Sequence, residues 1–352
     1  MREIVRGAVE ACQSIMIDFG LKSSHRSLYS DVGDNQLSMK AVAVDLGGTH
    51  VAYGIVEDRT LLFHDLFDSA QAKSLSSVLA TLEHELQRSQ ERFGACAGMA
   101  MGLPSIVDTS TNRVLSGLKK YEDASDIDLS EWCRTRLGLN LRIENDARMA
   151  LLGEHYAGAG HGEEDLVMMT LGTGIGTAAL LQGRMLRGTH FHAACLGGHL
   201  TVNFLGPLCQ CGNVGCAESY ASGWALPDIA AKWPGFECSV LAGLQSIGFL
   251  DLFTHAKAGD PVAVQIRDHC LKIWGATAVS LIHAYDPSVL ILGGGVMGSA
   301  EQIVPAIQAY VDRHVWSSWG KPQVRAAKLG NNAALLGAVP LLTEENRAPI
   351  KL

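Results

Sequence analysis

The chain has 352 residues, 47% hydrophobic and 18% charged, enough to bury more than one core. Its 28 basic and 36 acidic residues leave a net charge of −8, spread along the chain rather than gathered into blocks. That balance gives no reason to expect a nucleic-acid partner.

The first segment, MREIVRGAVEACQSIMIDFG, sets Arg and Glu among its apolar positions and makes a poor secretory signal, so the cytoplasm is the expected compartment. Residues 23–38, SSHRSLYSDVGDNQLS, are polar and follow neither a helical nor a strand period. Residues 1–39 therefore read as an extension: either a short helix and linker, or a stretch ahead of a natural start at Met39. From Lys40 strands and helices alternate. AVAVDL (41–46), VAYGIV (51–56) and LLFHDLF (61–67) are expected to open the fold as three antiparallel strands. A helix follows over 74–93, with Leu75, Val78, Leu79, Leu82 and Leu86 at helical spacing. CAGMAMGLP reads as a buried strand stopped by Gly102 and Pro104, and the strand ending LRIEND runs into a helix, ARMALLGEHYAG. The second half starts as the first does. AVAVDLGGTHVAYGIV and LVMMTLGTGIGTAALLQG are each an apolar run, a glycine turn and an apolar run, which suggests a duplicated α/β fold facing one cleft. The richest apolar stretch, 276–292, is broken by His283, Asp286 and Pro287, short of a membrane span.

Three glycine clusters stand at strand ends. In DLGGTH, Gly47 and Gly48 let backbone N–H groups approach an anion, Thr49 adds a donor, and Asp45 is placed to hold Mg²⁺ through water. A tight hairpin explains the same residues without any ligand. LGTGIGTA repeats the device at Gly172, Thr173 and Gly174. VLILGGGVMGSA carries a strand into Gly293, Gly294, Gly295 and an expected helix, a place where a nucleotide lies against backbone. A dinucleotide site of the Rossmann type would need an acidic residue at a strand end some twenty residues on, and none follows.

Six of the nine cysteines, Cys12, Cys96, Cys133, Cys195, Cys238 and Cys270, are scattered singly, as reduced buried thiols are. The other three cluster in CQCGNVGCAE. Cys209, Cys211 and Cys216, with His199 ten residues upstream, make a Cys₃His set suited to tetrahedral Zn²⁺. Four protein ligands leave no position for water, so the expected site is structural.

Taken together, AVAVDLGGTHVAYGIV, IENDARMALLGE, TLGTGIGTA, GGHLTV, CQCGNVGCAESYASG and VLILGGGV resemble the ROK family of sugar kinases and sugar-responsive repressors, over Lys40 to about Leu342. The resemblance implies two ribonuclease-H-like domains of the actin-like ATPase type flanking a nucleotide and sugar cleft. The expected small α/β domain is 40–150 plus 332–352, and the large one, with the zinc loop, is 151–331. It implies ATP and a sugar as partners, Mg²⁺ and Zn²⁺ as cofactors, and a homodimer. Asp146, which by itself reads as a helix cap, becomes the general base. Asn145, Glu218 and His199 become sugar contacts. The expected reaction is ATP-dependent phosphorylation of a hexose hydroxyl, such as the 6-hydroxyl of glucose or a related hexose or N-acetylhexosamine. The alternatives are a sugar-sensing regulator and a sugar-binding protein without turnover. The family pattern is departed from at His50, where Lys or Arg is usual; at Leu196, where Glu is usual; at Ser105; and in 114–126, where a Pro-Asn is missing.

Overall fold

The computed structural model describes residues 38–47, 49–72, 74–116 and 121–344; nearly all of the extension, and Gly48, lie outside the described residues. β1 (Lys40–Leu46), β2 (His50–Glu57) and β3 (Thr60–Asp68) pair antiparallel in sequence order. α1 (Leu75–Phe93) is capped by Ser74, whose hydroxyl accepts the Ser77 N–H, and it buries the five expected apolar positions. β4 (Met99–Leu103) then lies parallel to β1. A small hairpin of β5 (Ile106–Asp108) and β6 (Arg113–Ser116) leads to α2 (Leu129–Leu137). β7 (Leu141–Asn145) pairs parallel to β4 and runs directly into α3 (Asp146–Ala157). The first sheet has the order β3-β2-β1-β4-β7.

The second half repeats it. β8 (Leu166–Leu171), β9 (Ile175–Leu181) and the two-residue β10 (Arg184–Met185) are antiparallel. A long excursion carries α4 (Ala217–Ala221), α5 (Leu226–Ala231), α6 (Phe249–Lys257) and α7 (Pro261–Tyr285). β11 (Val289–Gly293) returns parallel to β8, and α8 (Ala300–His314) leads to β12 (Gln323–Ala326), parallel to β11. The order β10-β9-β8-β11-β12 matches the first sheet position for position. α9 (Ala333–Leu336) and α10 (Ala338–Thr343) end the described chain.

Period-2 alternation decides which core each strand residue enters. Val42, Val44 and Leu46 of β1 face α1 and α2, whereas Ala41 and Ala43 face the other way. In β8, Val167, Met169 and Leu171 join α6, α7 and α8, whereas Leu166 and Met168 share the core of Ala41 and Ala43. α3, α9 and α10 fill that shared middle layer. Their close approach needs glycine: a Cβ on Gly153 would strike the Ala333 carbonyl, and one on Gly337 the Met149 carbonyl. The described residues from Ser38 to Glu344 thus belong to one compact unit. Among the described residues no helix is long and apolar enough to cross a membrane.

Candidate active site

The carboxyl ends of parallel strands are where open α/β sheets bind ligands. Asp45, next to last in β1, lies opposite Gly102 of β4, and Gly102 lies opposite Glu144 of β7, one strand further. Two residues on, Asp146 opens α3. A Cβ on Gly102 would lie 3.4 Å from Asp45 Oδ1 and 3.6 Å from the Asp146 Cα, so glycine keeps the space between the two acids clear. The simple reading of Asp146 as the helix cap is corrected. Asn145 is the cap: its side-chain oxygen accepts the Arg148 N–H at 3.3 Å. Its Nδ2 donates to Asp146 Oδ1 at 3.0 Å and to the Ser105 carbonyl at 3.4 Å. Asp146 Oδ1 also accepts the Ala147 N–H at 2.8 Å. One carboxylate oxygen is therefore fixed by two donors, which orients the other.

Burial pushes the Asp146 carboxyl up to about 6, against the pull of the Ala147 N–H and the Asn145 amide. Burial, with the Asp146 charge adding to it, takes Asp45 to about 7. Asp45 Oδ1 is buried and has no hydrogen-bond partner among the described residues. An orphaned buried carboxylate oxygen is costly unless a cation or its bound water meets it, and a hard oxygen ligand suits Mg²⁺. The residue fits the ion. This yields a stability prediction. A carboxyl whose folded pKa is raised stabilises the fold below its unfolded value, near 4, and loses that contribution as pH rises through about 7. In Mg²⁺-free buffer Asp45→Asn should therefore melt higher than wild type at pH 8, by up to about 4 kcal/mol of stability, and show no such gain at about pH 3. Equal melting temperatures at pH 8 would show that Asp45 ionises in the fold without penalty.

The first glycine turn closes through the Gly47 N–H, which donates to the His50 carbonyl at 2.9 Å; a Cβ on Gly47 would press on that carbonyl at 2.8 Å. Thr49 Oγ1 and His50 Nδ1 are 2.9 Å apart, so the His50 ring is engaged by the turn's own hydroxyl. In the second turn Gly172 donates to the Gly174 carbonyl at 3.1 Å. The third cluster divides its work. Gly293 packs on the Met168 side chain, and Gly294, at φ +89°, lies against the Leu171 backbone; only Gly295 faces open space. The expected helix there begins as a 3₁₀ turn, Gly295–Ser299, before α8. Gly172, Thr173 and Gly295 border a cavity of about 370 Å³ whose other walls include Trp224, Phe249 and Leu250. Glycine backbone on one side and an aromatic, apolar wall on the other suit a purine nucleoside. Sequence reasoning missed Trp224, Phe249 and Leu250. The turn itself recruits the first of them, since the Trp224 N–H donates to the Thr173 carbonyl at 3.1 Å.

His199, Cys209, Cys211 and Cys216 converge, their ligand atoms all within 4.8 Å of one another. Cys211 and Cys216 Sγ are 3.7 Å apart, as are Cys209 Sγ and His199 Nδ1. Tetrahedral zinc with Zn–S bonds near 2.3 Å separates its sulfurs by about 3.8 Å. The thiols are free and far beyond the roughly 2 Å of a disulfide. Asn213 Nδ2 donates to Cys216 Sγ at 3.3 Å, the kind of outer-shell bond that steadies a thiolate ligand. α4 starts directly after Cys216 and carries Glu218, whose Oε2 accepts the Ile175 N–H at 2.8 Å and whose Oε1 accepts the Trp224 indole N–H at 3.2 Å. The cysteine loop is thereby tied to the second glycine turn and to the cavity wall. Leu196, three residues before His199, stands exposed.

Two identically ordered sheets around a shared helical layer, each with a glycine turn between its first two strands, define an actin-like ATPase fold. The ROK family profile matches residues 41–345, and the chain belongs to the ROK family. It is 31% identical over 314 residues to a glucokinase of Thermotoga maritima, covering 87% of this chain and 98% of that one. It is 32% identical, with a TM-score of 0.74, to the crystal structure of a ROK family glucokinase from Streptomyces griseus in complex with glucose and AMPPNP, covering 86% of this chain and 98% of that one. A xylose repressor of Bacillus spizizenii is 24% identical over 335 residues, 94% of this chain and 80% of the repressor.

Proposed function

We propose that this chain transfers the γ-phosphoryl group of ATP to the 6-hydroxyl of glucose or of a related hexose or N-acetylhexosamine, with Asp146 as the general base. Its place in the family beside glucokinases makes it a sugar kinase; the acceptor and the base are the proposal. The observation that carries it is the Asp146 carboxylate at the strand edge, pinned through Oδ1 and poised near pH 6 beside the orphaned oxygen of Asp45. As the sugar oxygen attacks phosphorus, its proton passes to Asp146 and ADP leaves. Backbone donors of the turns at 47–49 and 172–174 other than the Gly47 and Gly172 N–H groups, which close the turns, meet the phosphates, and the cavity walled by Trp224 and Phe249 takes the nucleoside. Asp45 would hold Mg²⁺ through water; when bound, that ion neutralises phosphate charge. His199, Cys209, Cys211 and Cys216 would hold a structural Zn²⁺ that shapes the sugar side. Asn145 and Glu218 already bond within the protein, so their first role is to hold Asp146 and the second turn in place.

The same reading places the chain in the cytoplasm as a homodimer, with a small lobe of 40–150 plus 332–352 closing on a large lobe of 151–331. A coupled ADP-release assay with Mg-ATP tests it, run against glucose, mannose, fructose, allose, N-acetylglucosamine and N-acetylmannosamine. Turnover on one of them establishes the acceptor. The second reading, a sugar-sensing regulator, draws on the similarity to the xylose repressor. Sugar binding with no turnover across the panel would favour it.

A further inference from the structure

Glu144 and Arg148 flank the Asn145–Asp146 pair, and both are completely buried. Two charges are seldom taken out of water without a structural task. Arg148 Nη1 lies 3.4 Å from Glu144 Oε1, a loose contact. Its Nη2 makes the better bonds, donating to the carbonyls of Phe191 at 2.9 Å and Ala193 at 2.6 Å. Glu144 is held elsewhere: Oε1 accepts the Asn145 N–H at 2.9 Å, and Oε2 accepts Arg187 Nε–H at 2.7 Å. Arg187 then grips Glu344 with both terminal nitrogens, at 3.1 and 2.6 Å. The four groups balance in charge.

The segment that Arg148 grips is strained. Phe191 and Ala194 both sit at φ +61°, a region that residues with a Cβ avoid and that persists only where the surroundings enforce it. Thr177 supplies a second restraint: its hydroxyl donates to the Ala194 carbonyl at 2.6 Å and accepts the Gly197 N–H at 2.7 Å. Leu196 follows three residues after Ala193, and His199 six. The helix that starts with Asp146 is therefore braced, through one guanidinium, to the backbone that delivers His199.

We propose that Arg148 is a positioning residue for the sugar: it sets where Leu196 and His199 stand relative to Asp146, with Glu144, Arg187 and Glu344 as its counter-charge frame. Arginine suits the task because its planar fork offers several donors in fixed directions, which a lysine ammonium does not. The functional half of this claim rests on the kinase reading; the structural half does not, so the test has two arms. In the first, Arg148→Met, which keeps the side chain's bulk, is compared with wild type by amide hydrogen exchange and zinc content. Residues 187–199 should exchange at least tenfold faster while zinc stays at the wild-type level. In the second, KM is measured for the sugar that the panel selects and for ATP. The sugar KM should rise at least tenfold with the ATP KM within twofold, and Arg148→Lys should recover part of the loss. A general structural role would raise both KM values together. Unchanged exchange over 187–199, or an equal rise in both KM values, overturns the proposal. If the methionine variant does not fold, the lysine variant carries both arms with the same signs. If no sugar on the panel is phosphorylated, the kinase reading fails and the exchange arm decides the brace.

Discussion

Asp146→Asn should lower kcat by about 10³-fold, roughly 4 kcal/mol of barrier, while sugar affinity stays within about threefold and the zinc content is unchanged. The substitution keeps the size and planarity of the side chain. An asparagine oxygen still accepts the Ala147 N–H and the Asn145 amide, so the helix start keeps its geometry. What is lost is the second carboxylate oxygen, which on the proposed mechanism takes the sugar proton. The pH profile gives an independent check. Burial raises the Asp146 carboxyl to about 6, and the base works only when ionised. Wild-type kcat/KM should therefore fall as pH drops through about 6, and the residual activity of the variant should be flat there. A variant retaining more than about a tenth of wild-type turnover would assign the proton to another group. An acid limb that survives in the variant would point to Asp45, which burial and the Asp146 charge lift to about 7.

The strand–glycine–strand units were readable because each residue's neighbours carry the signal: alternation fixes the faces of β1 and β8, and glycine fixes the turns. Their equivalence holds across whole sheets, since β4 and β7 stand to β1 as β11 and β12 stand to β8. The duplication was suggested by the two matching openings, but its extension to these later strands was not legible in the residue pattern. It depends on parallel pairings between strands far apart in sequence, which leave no local period. The same limit hid the best-defined parts of the site. The bonds from Arg148 to Phe191 and Ala193 cross more than forty residues, as does the bond from Ile175 to Glu218. The run Gly293–Gly295 was legible as a cluster but not as three tasks, because packing on Met168 and Leu171 is a tertiary event. The Cys₃His set was readable for the opposite reason. Three of its four ligands lie within eight residues, and ligand chemistry restricts what such a set can be.

That cluster leads to the second large effect. Cys211→Ser should fall from about one zinc per chain to none after dialysis, lose at least tenfold in sugar affinity, and melt at a lower temperature than wild type. A structural zinc site contributes its binding energy directly to folding, and a serine hydroxyl is a poor replacement for thiolate. Cys211 is the exposed member of the set, so the substitution disturbs packing less than one at buried Cys209 or Cys216. The loss should not stop at the loop. His199 is itself a member of the cluster and, on the proposed reading, borders the sugar, and Glu218, two residues after Cys216, accepts the Ile175 N–H beside the second glycine turn. Releasing the cysteines loosens both ends at once, so the ATP KM should rise along with the sugar KM. That joint rise separates this variant from Arg148→Met, for which only the sugar KM should move. Together the two variants should divide the site, with both substrates responding to the metal loop and only the sugar responding to the buried arginine. A zinc-free Cys211→Ser protein that binds sugar and ATP as wild type does would remove the metal from any role in shaping the cleft.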